Sequence, residues 1–158
     1  MPRDHDQLEG AVWRHGVRDA IYDHVFSSPD AEVGGFLLGS VGDDAKLRIA
    51  ESRPAVAARM TATSVTFTQD DWADVLAHLE RSEQEWRIVG WYHSHPGYGI
   101  FLSGFDLFIH QNFFAHAGQV AHVVDPIGGR DGLFGWRDGQ VVKFAEHVTE
   151  RPALGRSS

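Results

Sequence analysis

The chain predicts an α/β fold of the α+β type, a mixed β-sheet flanked by helices. Three features point there. Short β-branched and aromatic runs such as Arg87-Ile88-Val89-Gly90-Trp91-Tyr92 read as buried strands. Longer stretches around Trp72 and Ile109 carry apolar residues at helical spacing. The last apolar runs are joined by Asp138-Gly139, a hairpin turn.

The elements follow in order. Val17 to Ser27 reads as a helix with Ala20, Ile21, His24 and Val25 inward, stopped before Pro29. Glu32 to Ser40 is an apolar, glycine-containing strand, and Leu47 to Glu51 alternates as a half-buried one. Ser64 to Phe67 is a third strand. Thr68 then caps a helix from Gln69 to about Ser82, with Trp72, Val75, Leu76 and Leu79 on one face. After the Arg87–Tyr92 strand and a glycine-rich loop comes a helix from about Gly104 to Ala115, with Phe105, Phe108, Ile109 and Phe113 expected inside. Val120 to Val124 is a strand, and Leu133 to Trp136 with Val141 to Phe144 forms the terminal hairpin.

Length favours one domain, here residues 10–147, between ends at 1–9 and 148–158 that are expected to be flexible. A 42% hydrophobic content supplies a full core. The net charge of −8, with 14 basic residues in no run or stripe, argues against nucleic acid. No apolar run is long enough to span a bilayer and the N-terminus has no apolar signal core, so no membrane association and a cytoplasmic location are expected. Without cysteine, thiol catalysis and thiolate zinc sites are excluded. Oligomeric state is left open.

The segment His93 to Asp106 carries most of the chemistry. His93 and His95 sit two apart at a strand end, so both imidazoles can face one ion, and neutral imidazole is a good zinc ligand. Pro96 ends the strand and Gly97-Tyr98-Gly99 lets the chain turn back. Asp106 is the natural third ligand. Three protein ligands leave a position for water, the catalytic arrangement. Glu32, a lone carboxylate at the start of an apolar strand, is the candidate base.

Each residue alone has a plainer reading. Ser103 and Asp106 fit a capping box, Glu32 a solvated strand end, and either histidine a hydrogen-bonded strand residue. His-x-His followed at this spacing by Ser-x-x-Asp is harder to explain structurally. His110, four residues after Asp106, is the one substitute ligand to consider.

Glu32, His93-x-His95, Ser103 and Asp106, with Glu-x-x-Gly-x-Leu-x-Gly at Glu32 to Gly39 and Val124-Asp125-Pro126, resemble the JAMM/MPN+ metalloprotease signature. The stretch Val89 to Gly99 is similar to that of the isopeptidase subunits of the signalosome and the proteasome lid. The resemblance covers roughly Ala11 to Phe144 and implies a curved sheet of MPN/cytidine-deaminase-like architecture. It implies that His93, His95 and Asp106 bind one Zn²⁺, that Glu32 shuttles the water's proton to the leaving amine, and that Ser103 stabilises the oxyanion. The implied activity is a zinc isopeptidase or peptidase cutting after the C-terminal glycines of a ubiquitin-like or sulfur-carrier protein. The small, stand-alone domain looks more like prokaryotic members than like subunits of the large eukaryotic complexes.

The connection Ala115 to Gly118 is short where eukaryotic deubiquitinases of the family often carry an insertion, so linkage specificity is not carried over. Pro54 to Thr61 falls at the family's other substrate loop and is expected to be a flexible loop pairing with an extended Gly-Gly tail. Other readings stay open. They are an inactive or partner-dependent MPN binding module and a zinc hydrolase of a non-protein amide. A nucleotide deaminase is excluded because its site needs cysteines.

Overall fold

A computed structural model describes residues 7–60, 65–144 and 147–151. In chain order the elements are β1 (Gly10–Trp13), α1 (Val17–Phe26), β2 (Gly34–Val41), β3 (Lys46–Pro54), β4 (Arg59–Met60), β5 (Val65–Thr66), α2 (Gln69–Arg81), β6 (Arg87–Ser94), α3 (Gly104–Phe113), β7 (Val120–Asp125), β8 (Arg130–Arg137), β9 (Gln140–Lys143) and β10 (Val148–Thr149). Eight strands form one mixed sheet in the order β10-β1-β3-β2-β6-β7-β8-β9, and β4 pairs with β5 apart from it. The mixed α+β class predicted above is the one found.

The central strand β2 runs antiparallel to both neighbours, with register shifts at Leu38/Gly39 against β3 and at Leu37/Leu38 against β6. Such irregularities bend a strand and increase its twist, which curls the sheet. β6 and β7 are parallel, and a parallel pair needs a crossover, here made by α3. That crossover carries the chain from the two histidines to Asp106.

Two apolar layers cover the sheet. Val17, Ile21 and Val25 of α1 pack with Leu37, Leu47, Ile49, Tyr92 and Val124, while Val75 of α2 and Ile109 of α3 pack with Phe36, Trp91, Phe114 and Val123. α2 starts at a capping box, Thr68 accepting from the Asp71 amide while the Asp71 carboxylate accepts from the Thr68 amide.

Several expectations need correction. Phe105, Phe108 and Phe113 are 41%, 54% and 51% exposed, and the buried stripe of α3 is Asp106, Ile109 and His110. Phe114, the C-cap residue, fills the core instead. The helix sits with its polar site residues inward, which turns Phe105 and Phe108 out. Leu76 of α2 and Ala20 of α1 are also exposed. Glu32 precedes its strand by two residues, and β3 runs longer than expected. Arg59–Met60, expected within a flexible loop, pairs as β4, while positions 61–64, including Thr61 and Ser64, lie outside the described residues. At the ends, Leu8 is buried in the core, and Val148 and Thr149, expected in a flexible tail, pair in parallel with β1. β1, β4 and β10, two to four residues each, were not among the expected strands.

Candidate metal centre

The end of β6 and the start of α3 converge on one point. His93 lies in β6 and His95 just beyond it, and their Nε2 atoms are 3.1 Å apart. Asp106 Oδ2 lies 3.1 Å from Nε2 of His93 and 3.0 Å from Nε2 of His95. Ser103 is the N-cap of α3. Its hydroxyl accepts from the Asp106 amide at 3.1 Å, and its own amide donates to Asp106 Oδ2 at 2.9 Å. The capping reading of this pair is therefore realised, and the cap is what aims the carboxylate at the histidines.

Glu32 completes the cluster: donor atoms of Glu32, His93, His95 and Asp106 all lie within 4.8 Å of one another, and all four residues are buried. Its place is set by Ser94. The Val33 amide donates to Ser94 Oγ at 3.0 Å and the Ser94 amide returns a bond to the Val33 carbonyl at 3.0 Å. Gly34 pairs with His93 directly after.

The donor set fits a metal ion. Ligand bonds of about 2.0–2.1 Å in a tetrahedron put ligand atoms about 3.3 Å apart, close to the Nε2, Nε2 and Oδ2 triangle seen here. His95 Nδ1 lies 3.2 Å from the Gly99 carbonyl, so a proton there donates outward and leaves Nε2 as the donor to an ion. His93 is held by stacking on Trp91, with ring centroids 4.5 Å apart and planes at 8°. Its Nδ1 has no hydrogen-bond partner among the described residues.

The electrostatics suit the same chemistry. Burial pushes the Glu32 carboxyl up to about 7, helped by Asp106 and opposed by His95, and its Oε1 has no partner among the described residues. Burial also pulls His93 below the ordinary imidazole range. At His95 burial acts the same way, but the Asp106 carboxylate outweighs it and raises the ring. Asp106 itself would be pushed up by burial, yet hydrogen bonds from both histidines hold it well below the usual carboxylate range. A carboxyl poised near neutrality beside three converging donors can exchange a proton with a water there.

His110, the alternative ligand, stands outside the cluster. Its Nδ1 accepts from the Trp91 indole at 3.0 Å, so it orients the ring on which His93 stacks. Two contributors had no role assigned from the sequence, Ser94 and Asp125, although Asp125 stands in the Val124-Asp125-Pro126 motif. Both act on backbone amides, which leaves no side-chain spacing to read.

With a curled mixed sheet and this cluster in place, the chain belongs to the JAB1/Mov34/MPN/PAD-1 ubiquitin protease family, whose pattern matches residues 15–117. Among curated relatives, COP9 signalosome complex subunit 5 of Eremothecium gossypii is 40% identical over 107 residues, 65% of this chain and 24% of the relative. The 26S proteasome non-ATPase regulatory subunit 14 of Drosophila melanogaster is 39% identical over 100 residues, 61% of this chain and 32% of the relative. Ubiquitin carboxyl-terminal hydrolase RPN11 of Saccharomyces cerevisiae is 36% identical over 98 residues, with 61% and 32% covered. The chain thus spans a quarter to a third of the length of these relatives. Among the described residues, no helix is long and apolar enough to cross a membrane.

Proposed function

We propose that this protein is a zinc-dependent isopeptidase or peptidase that hydrolyses the amide after the C-terminal glycines of a ubiquitin-like or sulfur-carrier protein. The observation that carries the reading is the convergence of Glu32, His93, His95 and Asp106 within 4.8 Å, buried, in a chain of this family. His93, His95 and Asp106 are the ligands. Nitrogen and carboxylate donors without cysteine suit a catalytic rather than a structural zinc. When bound, zinc supplies Lewis acidity toward a carbonyl and lowers the pKa of a water to about 7.

The rest of the work falls to the chain. Glu32 takes a proton from the attacking water and gives it to the leaving amine nitrogen as the amide C–N bond breaks. Ser103 accepts the Asp106 amide through one lone pair and keeps its hydroxyl proton free to donate to the oxygen that gains charge at the scissile carbonyl. The segment 54–60 ends in β4, and strand addition there is the mode by which an extended glycine tail would be held.

The test uses the zinc-loaded protein and ubiquitin-like proteins carrying a C-terminal Gly-Gly amide to a reporter amine. Cleavage is expected, and Glu32→Gln should lower it at least about 100-fold while zinc stays near one per chain. His93→Ala should lose the zinc as well. Near-normal turnover in Glu32→Gln, or no zinc in the wild type, would overturn the assignment.

A further inference from the structure

Asp125 ends β7, is 2% exposed, and its carboxylate gathers four backbone amides. Oδ1 accepts from Gly97 at 2.9 Å, from Ile127 at 3.0 Å and from Gly128 at 2.9 Å, and Oδ2 accepts from Gly99 at 3.1 Å. The bonds to Ile127 and Gly128 close the residue's own turn, as Asp commonly does. Those to Gly97 and Gly99 do something else. They reach across to the loop between His95 and Asp106, 28 and 26 residues earlier in the chain.

That loop begins with a turn in which the Tyr98 amide donates to the His95 carbonyl at 3.1 Å, with Pro96 second and Gly97 at φ 79° third, the signature of type II. Gly99 is also left-handed, at φ 89°. Its carbonyl faces His95 Nδ1 at 3.2 Å while its amide faces Asp125. One peptide segment therefore joins the carboxylate at the end of β7 to the imidazole. The fit is tight, since a Cβ on Gly128 would stand 2.7 Å from Asp125 Oδ2. Burial pushes the Asp125 carboxyl up, but the four amides outweigh that and keep it ionised.

We propose that Asp125 is a positioning residue of the metal site: by holding Gly97 and Gly99 it places the Gly99 carbonyl on His95 Nδ1 and so fixes the tautomer and aim of Nε2. This rests on the metal reading above. Outer partners of ligating histidines act in this way, and their loss costs 10–100-fold in metal affinity or activity. Asp125 is not itself among the clustered donors.

Asp125→Asn separates the roles. The amide oxygen can still accept on one side, but the other side becomes an NH₂ group opposed to a backbone N–H, so the four bonds cannot all survive. The experiment is a Co²⁺ titration of the full chain, read by visible absorption. The variant is expected to bind cobalt about 10–100-fold more weakly, with a shifted ligand-field spectrum, and excess metal should restore its turnover. A folded variant with wild-type affinity and spectrum would overturn the proposal. Should Asp125→Asn not fold, hydrogen exchange on the wild type decides. Metal is expected to slow exchange at the Gly97 and Gly99 amides, because coupling between the loop and the ligand is reciprocal. Unchanged exchange there overturns the proposal. A wild type that binds neither cobalt nor zinc would instead sink the metal reading, and this inference with it.

Discussion

Ser94, between the two imidazoles, is fully buried, and its hydroxyl accepts the Val33 amide that immediately follows Glu32. Removing the hydroxyl leaves a buried N–H unpaired, at about 1–3 kcal/mol. Ser94→Ala should therefore lower the urea midpoint. It should also cut turnover more than zinc content, because Glu32 shifts while the ligands stay. Loss of zinc with turnover per bound zinc unchanged would count against Ser94 as the holder of Glu32. The same residue shows what a sequence can reveal of a site. His93, His95, Ser103 and Asp106 are legible because local spacing on a strand end and a helix start brings them together. Glu32 lies about 60 positions earlier, yet a lone carboxylate at the start of an apolar run stood out. Ser94 did not stand out, and Asp125 did so only within the Val124-Asp125-Pro126 motif, since each is aimed at main-chain amides, and such contacts are invisible in the residue types.

Among the elements, α3 departs furthest from its expected facing. Four apolar residues, three of them phenylalanines, suggested the inner stripe, but a helix has one orientation and the site claims it. With Asp106 and His110 turned inward, Ile109 is the apolar residue that shares their face. Phe105 and Phe108 stack on each other outside, with centroids 6.4 Å apart. Phe108→Ser should then change stability by no more than about 0.5 kcal/mol. Phe114→Ala, which empties a fully buried position stacked on Trp91, should cost about 3–5 kcal/mol. Urea unfolding of the two variants checks both figures, and comparable losses would mean that the outer face of α3 is packed. α2, by contrast, was legible at its start. Thr68 and Asp71 form the local box that its first turn requires.

At the scale of the molecule, the mixed class and most strands were readable from period and turn residues, while the edge order was not. β10 joins β1 in parallel across more than 130 positions through two paired residues. Beside it, the Trp13 indole donates to His147 Nδ1 at 2.8 Å, and on the other face the Trp91 indole donates to His110 Nδ1. Both acceptors must be unprotonated, and burial pulls both histidines from 6.5 down to about 4. A depressed folded value means stability that is present above pH 6.5 and lost as pH falls toward 4, about 3 kcal/mol for the fully buried His110 and less for the half-buried His147. Glu32 opposes them. Its carboxyl is raised from 4.5 to about 7, so the folded state binds its proton more tightly and stability is gained as pH falls across that window. In chelator-treated protein the two trends partly cancel. Glu32→Gln removes the gain and leaves the histidines, so its urea midpoint should fall more steeply than the wild type's between pH 6.5 and pH 4. Parallel slopes would mean that Glu32 is not held as a protonated carboxyl in the fold, and the proton acceptor assigned to the site would have to be sought elsewhere.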